Sequence, residues 1–326
     1  MNQRDELEKQ YDLLDEKIVC LRTARIIETD AATLFKLDKQ IEAAEAERKQ
    51  IELQIDNLDS VACIQDLHRA LLKLGYREQI IFFKKFIKSL SIGAFLIHGS
   101  PDYGQRWLLN RLVTQYVHYG TSGKVIRVEL DRIARRRDIS ALWRELAGWV
   151  GLGRQNSTSE IAERVYQWWQ TQNVILVFHD VDCMPESYVQ ELLCDFWLPL
   201  ASKVRDVISQ TPKFQLLMFL VDYEGCVGTK DTLFVEQLEP TWEPKIPIKL
   251  PKINAFCDRV LTDWLETIEI EFDTLPILQA INQMQDDPVK VILKNSDNGI
   301  PELAMSEICG MCGCNWYEEK ERWLKL

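Results

Sequence analysis

The sequence predicts an α/β chain. A doubly wound parallel sheet with helices on both faces is preceded by an α-helical coiled-coil hairpin and followed by a small helical part. Three observations carry this. Short apolar runs alternate with segments of helical period, the pattern of a parallel sheet covered on both sides. Residues 1 to 59 contain no Gly, no Pro and no Trp, and repeat apolar side chains at spacings of three and four. The final ~75 residues return to helical period alone.

The N-terminal segment comes first. Leu7, Tyr11, Leu14, Ile18 and Leu21 form one heptad seam. "ETDAA" interrupts it, and Thr29 or Asp30 is the expected N-cap of a second helix. Leu34, Leu37, Ile41, Ala44, Arg48, Ile51, Ile55 and Leu58 make the second seam, from which Arg48 must snorkel out. Two helices of about 26 to 29 residues, each roughly 40 Å long, suit an antiparallel hairpin. Pairing of each seam with another chain is the alternative.

A composition change follows. "IQDLHRALLKLGYREQIIFFKKFIKSL" predicts two helices broken near Gly75. "GAFLIHG", "KVIRVEL", "NVILVFHD", "FQLLMFLVD" and the shorter "KIPIKL" predict strands. The helices between them include "SEIAERVYQWWQTQ", capped by Ser157, Thr158 or Ser159, and "PESYVQELLCDFWLPLASKV". Most tryptophans fall at apolar helical positions. Trp168 and Trp169 are adjacent, so they cannot share one helix face. The expected units are 1–59, 60–250 and 251–326.

The chemistry centres on "FLIHGSPDYGQRWLLNRL". A nucleotide-binding loop reads G-x-x-x-x-G-K-[ST] between a strand and a helix. Gly99 and Gly104 have that spacing, but Gln105 stands at the Lys position and Arg106 at the Ser/Thr position. The Lys would neutralise the β- and γ-phosphates and the hydroxyl would hold Mg²⁺. Gln105 is neutral, and Arg106 has no oxygen for a metal and fills the ion's place. Asp102 adds a repelling carboxylate, and Pro101 removes a backbone donor. The second nucleotide element is a strand ending in an acid that holds Mg²⁺. Here "VILVF" ends in His179, with Asp180 one place late and Asp182 beyond. His179 and His98 are expected to be structural.

These degenerate motifs occur in the order found in P-loop NTPases. Over residues 61 to 326 the chain resembles the STAND branch, and in particular inactive STAND domains of bacterial, often cyanobacterial, conflict and immunity proteins. "GAFLIHGSPDYGQRWLLNRLV", "VILVFHDVD", "LLMFLVD" and "VLTDWLE" carry the resemblance. The N-terminal segment looks like the coiled-coil module that often precedes effector or NTPase domains. The resemblance implies a P-loop NTPase-like fold and signalling by assembly with effectors; with no effector visible in the chain, one would act in trans, or the protein would be a regulator. A cytoplasmic location is expected from the cysteines and the lack of an export signal. Gly99 and Gly104 carry over as turn determinants. The loop Lys and the first strand-end Asp do not.

The expectation is therefore a non-catalytic adaptor with no cofactor. Its partners would be effector proteins, or a second copy, reached through the hairpin seams. One alternative is a switch that binds ATP or ADP without hydrolysis, Arg106 replacing the Lys charge. A weaker one is a nucleic-acid-binding module using Arg132, Arg135, Arg136 and Arg137. The net charge of -11 opposes general attraction to nucleic acid or anionic lipid, and Asp131 and Asp138 flank the basic run. No apolar run reaches the length of a membrane span. Nine cysteines without an export signal fit reduced thiols. Cys309, Cys312 and Cys314 cluster, but a structural zinc site wants four ligands, so a packed helix end is expected there.

Overall fold

A computed structural model describes residues 3–118, 122–134, 138–153, 157–207, 213–227, 233–236, 243, 246–272, 276–283 and 286–326. Helices α1 (Gln3–Ile27) and α2 (Ala31–Leu71) form the antiparallel hairpin. Asp30 caps α2, its carboxylate accepting from Thr33 N at 2.9 Å. Leu14, Ile18, Ala44 and Ile51 are buried at the centre of the seam. Leu7, Tyr11, Leu21, Leu34, Leu37, Ile41, Ile55 and Leu58 are half-buried along it. Arg22 bonds Glu45 at 2.6 Å, and Arg25 pairs with Asp38. Arg48 leaves the seam as expected, reaching Asp15 at 2.5 Å beside the Tyr11 ring.

One sequence expectation needs correction. The second hairpin helix does not stop near residue 59. It spans 41 residues and ends at Leu71, so the expected first helix of the next unit is its last turns. After the cap at Asp30, no Gly or Pro occurs until Gly75, so no backbone breaker interrupts the second helix near residue 59. Leu67, Ala70 and Leu71 are fully buried against the sheet-covering helices. The chain then turns through Gly75 and Tyr76, both left-handed (φ 63° and 58°), into α3 (Arg77–Ser89).

Five parallel strands follow: β1 (Ile92–His98), β2 (Lys124–Glu129), β3 (Val174–His179), β4 (Leu216–Asp222) and the two-residue β5 (Ile248–Lys249). Their order across the sheet is β2-β3-β4-β1-β5. The central strands are buried throughout, and their alternation feeds two layers. Phe95, Ile97, Val177 and Phe219 face α3 and α4 (Gln105–Tyr116). Ala94, Leu96, Phe178 and Met218 face the other layer, containing α6 (Ser140–Trp149), α7 (Thr158–Trp169), α8 (Glu186–Glu191) and α9 (Leu198–Val207). The short helix α5 (Leu130–Ala134) follows β2 directly.

Ser157 caps α7 in a capping box with Glu160. The adjacent tryptophans divide as helical geometry demands. Trp169 is buried and donates to Phe214 O at 3.1 Å, while Trp168 is half-buried under Lys124. The segment Leu192–Trp197 joining α8 to α9 is a π-helix just before Pro199, which has no N–H to offer. Beyond the sheet lie α10 (Asp258–Glu271), α11 (Pro276–Gln283), α12 (Pro288–Asn295), α13 (Pro301–Met311) and α14 (Trp316–Trp323). They extend the α4 side of the core rather than standing apart from it. Among the described residues, no helix is long and apolar enough to cross a membrane.

Candidate functional site

The loop between β1 and α4 lies at the C-terminal edge of the sheet, where ligands of open α/β folds bind. Gly104 has φ 73°, and a Cβ there would meet Tyr76 Oη at 2.2 Å. That hydroxyl donates to Tyr103 O at 3.1 Å, so Tyr76 holds the loop from below. A Cβ on Gly99 would sit 3.0 Å from Ile253 Cβ. Both glycines are thus demanded by close approach of neighbouring side chains.

Gln105 is buried at the first position of α4. Its Nε2 lies 2.9 Å from Ser100 O, 3.3 Å from Tyr223 O and 3.4 Å from Asp222 O. The amide therefore ties the loop to the end of β4 from the position where a Lys would reach phosphate. Arg106 does not stay within the ion's place. Its Nε donates to Leu326 O at 3.2 Å and its Nη1 lies 3.3 Å from Glu321.

His179 ends β3 with 2 % of its surface exposed, its Nδ1 hydrogen-bonded to Tyr223 Oη at 2.8 Å. Burial, reinforced by the cations Arg106 and Arg127, pushes this imidazole down to about 4. It is neutral at pH 7. Asp180 follows in a left-handed conformation, φ 58°, and lines the same cleft as Glu129. Burial, then repulsion from Glu129, Asp131 and Asp182, pushes Asp180 up to about 6. Asp182 faces elsewhere, accepting from Tyr223 N at 2.9 Å.

The sequence reading passed over Asp222 and Tyr223. Asp222 is fully buried at the end of β4, its two oxygens accepting from Gly225 N at 2.7 Å and Val227 N at 2.8 Å. Burial, with Asp180 close by, drives the Tyr223 phenol far above its ordinary range. An acid ending "LLMFLVD" three residues before Gly225 is the signal in the sequence: such a side chain closes a turn on its own backbone.

C-terminal helices close the other wall. Glu302 N donates to Asp102 O at 3.0 Å. The buried Glu302 carboxylate accepts from Lys320 at 2.7 Å and from Trp316 Nε1 at 2.7 Å. The resulting cleft has a volume of about 410 Å³. It is lined by five carboxylic residues, Asp102, Glu129, Asp180, Glu224 and Glu302, against Arg106 and Lys320. Acidic residues thus outnumber cations in this lining. Among the described residues, no group of His, Cys, Asp or Glu side chains is arranged to hold a metal.

Residues 71–221 match the inactive STAND family. The match runs from the last residue of α2 into β4, so the matched segment contains the loop, Gln105 and His179 but not the C-terminal wall. No curated protein matches the chain. Eleven solved chains match it, among them the following two. One is a chain of Drosophila ORC bound to poly(dA/dT) DNA and Cdc6, at 13% identity and TM-score 0.35 over 81% of this chain and 34% of that one. This chain thus spans about a third of its length. The other is in a structure of Rif2 in complex with the C-terminal domain of Rap1, at 12% identity and TM-score 0.37 over 82% of this chain and 89% of that one.

The remaining expected positions are placed as follows. His98 is buried and its Nε2 lies 3.0 Å from Leu250 O. Cys309 is buried, and Cys312 and Cys314 are half-buried at the C-terminal end of α13, where Cys314 N donates to Cys309 O at 3.0 Å. Arg135, Arg136 and Arg137 lie outside the described residues, as does Trp242.

Proposed function

We propose that the protein is a non-catalytic signalling adaptor of the inactive STAND type. The observation that carries this is Gln105, whose amide reaches the carbonyls of Ser100, Asp222 and Tyr223. A neutral side chain performs internally, for the fold, the bridging that a Lys performs for phosphate. The acid-lined wall and the neutral His179 support the same reading. Partners are protein effectors, or a second copy, engaged through the hairpin. Its first helix, α1, leaves Leu13, Val19, Ile26 and Ile27 exposed outside the buried seam.

The test is calorimetric titration with ATP, ADP and GTP, with and without Mg²⁺, alongside a phosphate-release assay. The expected result is no Mg²⁺-dependent binding in the cleft and no turnover. Turnover that disappears in Asp180→Ala would sink the proposal. Effector capture that survives Leu13→Glu together with Ile26→Glu would remove the hairpin from the interface.

A further inference from the structure

A second cavity, of about 400 Å³, lies where α2 turns into α3, bounded by α4 and α10. Its charge is opposite to that of the cleft. Lys73, Arg77, Lys84 and Arg111 line it, against one carboxylate, Asp263. Asp263 already faces Arg259 at 3.8 Å, and Lys73 pairs with Glu271 outside the cavity lining.

Arg111 is the decisive residue. It is only 6 % exposed, and no described carboxylate pairs with it. One guanidinium nitrogen, Nη1, donates to Leu74 O at 2.9 Å and Gly75 O at 3.1 Å. Its Nε is buried and has no hydrogen-bond partner. A buried cation without a counter-ion is costly, and an unfilled donor adds to that cost. The first of these costs falls if an anion enters the cavity that Arg111 lines.

Two further features fit an anion. The α3 helix begins here at Tyr76, and no side chain caps its first amides. Those donors and the helix dipole favour negative charge. Lys84 Nζ lies 4.7 Å from the centre of the Tyr116 ring, which lines the same cavity. Ile80, Val260 and Trp264 supply an apolar wall, and Trp264 Nε1 is already bonded to Ala70 O at 2.8 Å.

We propose that this cavity binds a phosphate-bearing small molecule of mononucleotide size. Its phosphate is held by Arg111, Arg77, Lys84 and the α3 amides, and its less polar part rests on Tyr116 and the apolar wall. The volume falls within the usual range of small-ligand sites, about 300–1,000 Å³. The site is separate from the P-loop-like cleft and does not depend on how that cleft is read.

The experiment is calorimetry on the full chain with pyrophosphate and with AMP, at low and moderate salt. Saturable binding of at least one is expected. It weakens by about tenfold or more in Arg77→Ala with Lys84→Ala, as for loss of charge-assisted hydrogen bonds. Those residues do not tie down the Gly75 turn, so this variant is the primary one. Arg111→Lys, which keeps the charge but loses the planar fork, also weakens binding. Arg106→Ala leaves it unchanged. No binding of either probe at millimolar concentration overturns the proposal. So does binding that Arg77→Ala with Lys84→Ala leaves intact, or that Arg106→Ala abolishes. The last result would assign the ligand to the cleft and count against the adaptor reading instead.

Discussion

His68, near the end of α2, stacks on Trp323 of α14, with ring centroids 4.8 Å apart and planes 16° from parallel. Trp107, two residues into α4 from Gln105, meets His68 edge-on at 5.7 Å. Trp316 meets Trp107 at 5.2 Å. Hairpin, loop helix and C-terminal wall therefore converge on one aromatic cluster. Asn110 reinforces it, accepting from Lys325 N at 3.0 Å.

Removing one ring of this cluster tests that convergence. Trp323→Ala is expected to destabilise the fold by about 3–5 kcal/mol, the range for truncating a large buried aromatic. Hydrogen exchange should rise together in the last turns of α2 and the first turns of α4. Exchange confined to α14 would mean that the cluster does not couple them.

Histidine titration gives a pH dependence with a definite sign. Burial, then Lys325 and Arg69, pushes His68 down to about 4 from 6.5, and His179 is pushed down to about 4 as well. The unfolded chain therefore binds more protons between the two values, so stability falls as pH drops through that window. Asp180, raised to about 6 from 3.8, acts in the opposite direction over an overlapping range. Urea unfolding at pH 7 and pH 5 should show a smaller loss in His68→Gln than in the parent chain. Asp180→Asn should show a larger loss. Equal losses in all three would refute the assignment.

Gly104→Ala should be poorly tolerated. The new methyl would overlap Tyr76 Oη, and φ 73° is unfavourable for a side chain. A cost of about 2 kcal/mol or more is expected from strain and overpacking. Adding Tyr76→Phe removes the hydroxyl and should recover part of it, as a double-mutant cycle measured by denaturant would show. Strict additivity would separate the two residues.

Gln105→Ala leaves three backbone carbonyls without their shared donor. A loss of about 1–3 kcal/mol is expected in thermal or chemical unfolding. Gln105→Lys should not create turnover, since no Ser or Thr follows and the cleft wall stays acidic. Mg²⁺-dependent phosphate release by Gln105→Lys would contradict that.

Much of the fold was legible because period and punctuation are local. Strand runs such as "NVILVFHD" and the seam from Leu7 to Leu58 each report on their own backbone. The end of α2 was not legible. Its heptads fade near Leu58, yet helix persists because the chain contains no breaker until Gly75, and its burial depends on α4 and α14, distant in sequence. At the candidate site, the spacing of Gly99 and Gly104 and the losses at Gln105 and Arg106 could be read directly. The destinations of those two side chains could not. Gln105 reaches β4, more than a hundred residues onward, and Arg106 reaches the C-terminal residues. Arg111 was invisible as a site residue because it occupies an ordinary position on an apolar helix; only its missing counter-ion distinguishes it.

An unbroken α2 has a mechanical meaning. At 1.5 Å per residue its 41 residues make a shaft of about 60 Å. The far end is open to solvent, and the near end is seated between Trp107 and Trp323. No joint of flexible backbone interrupts it, so a grip on the distal tip acts as torque on the socket. That socket includes α4, the helix that carries both Gln105 and Arg111.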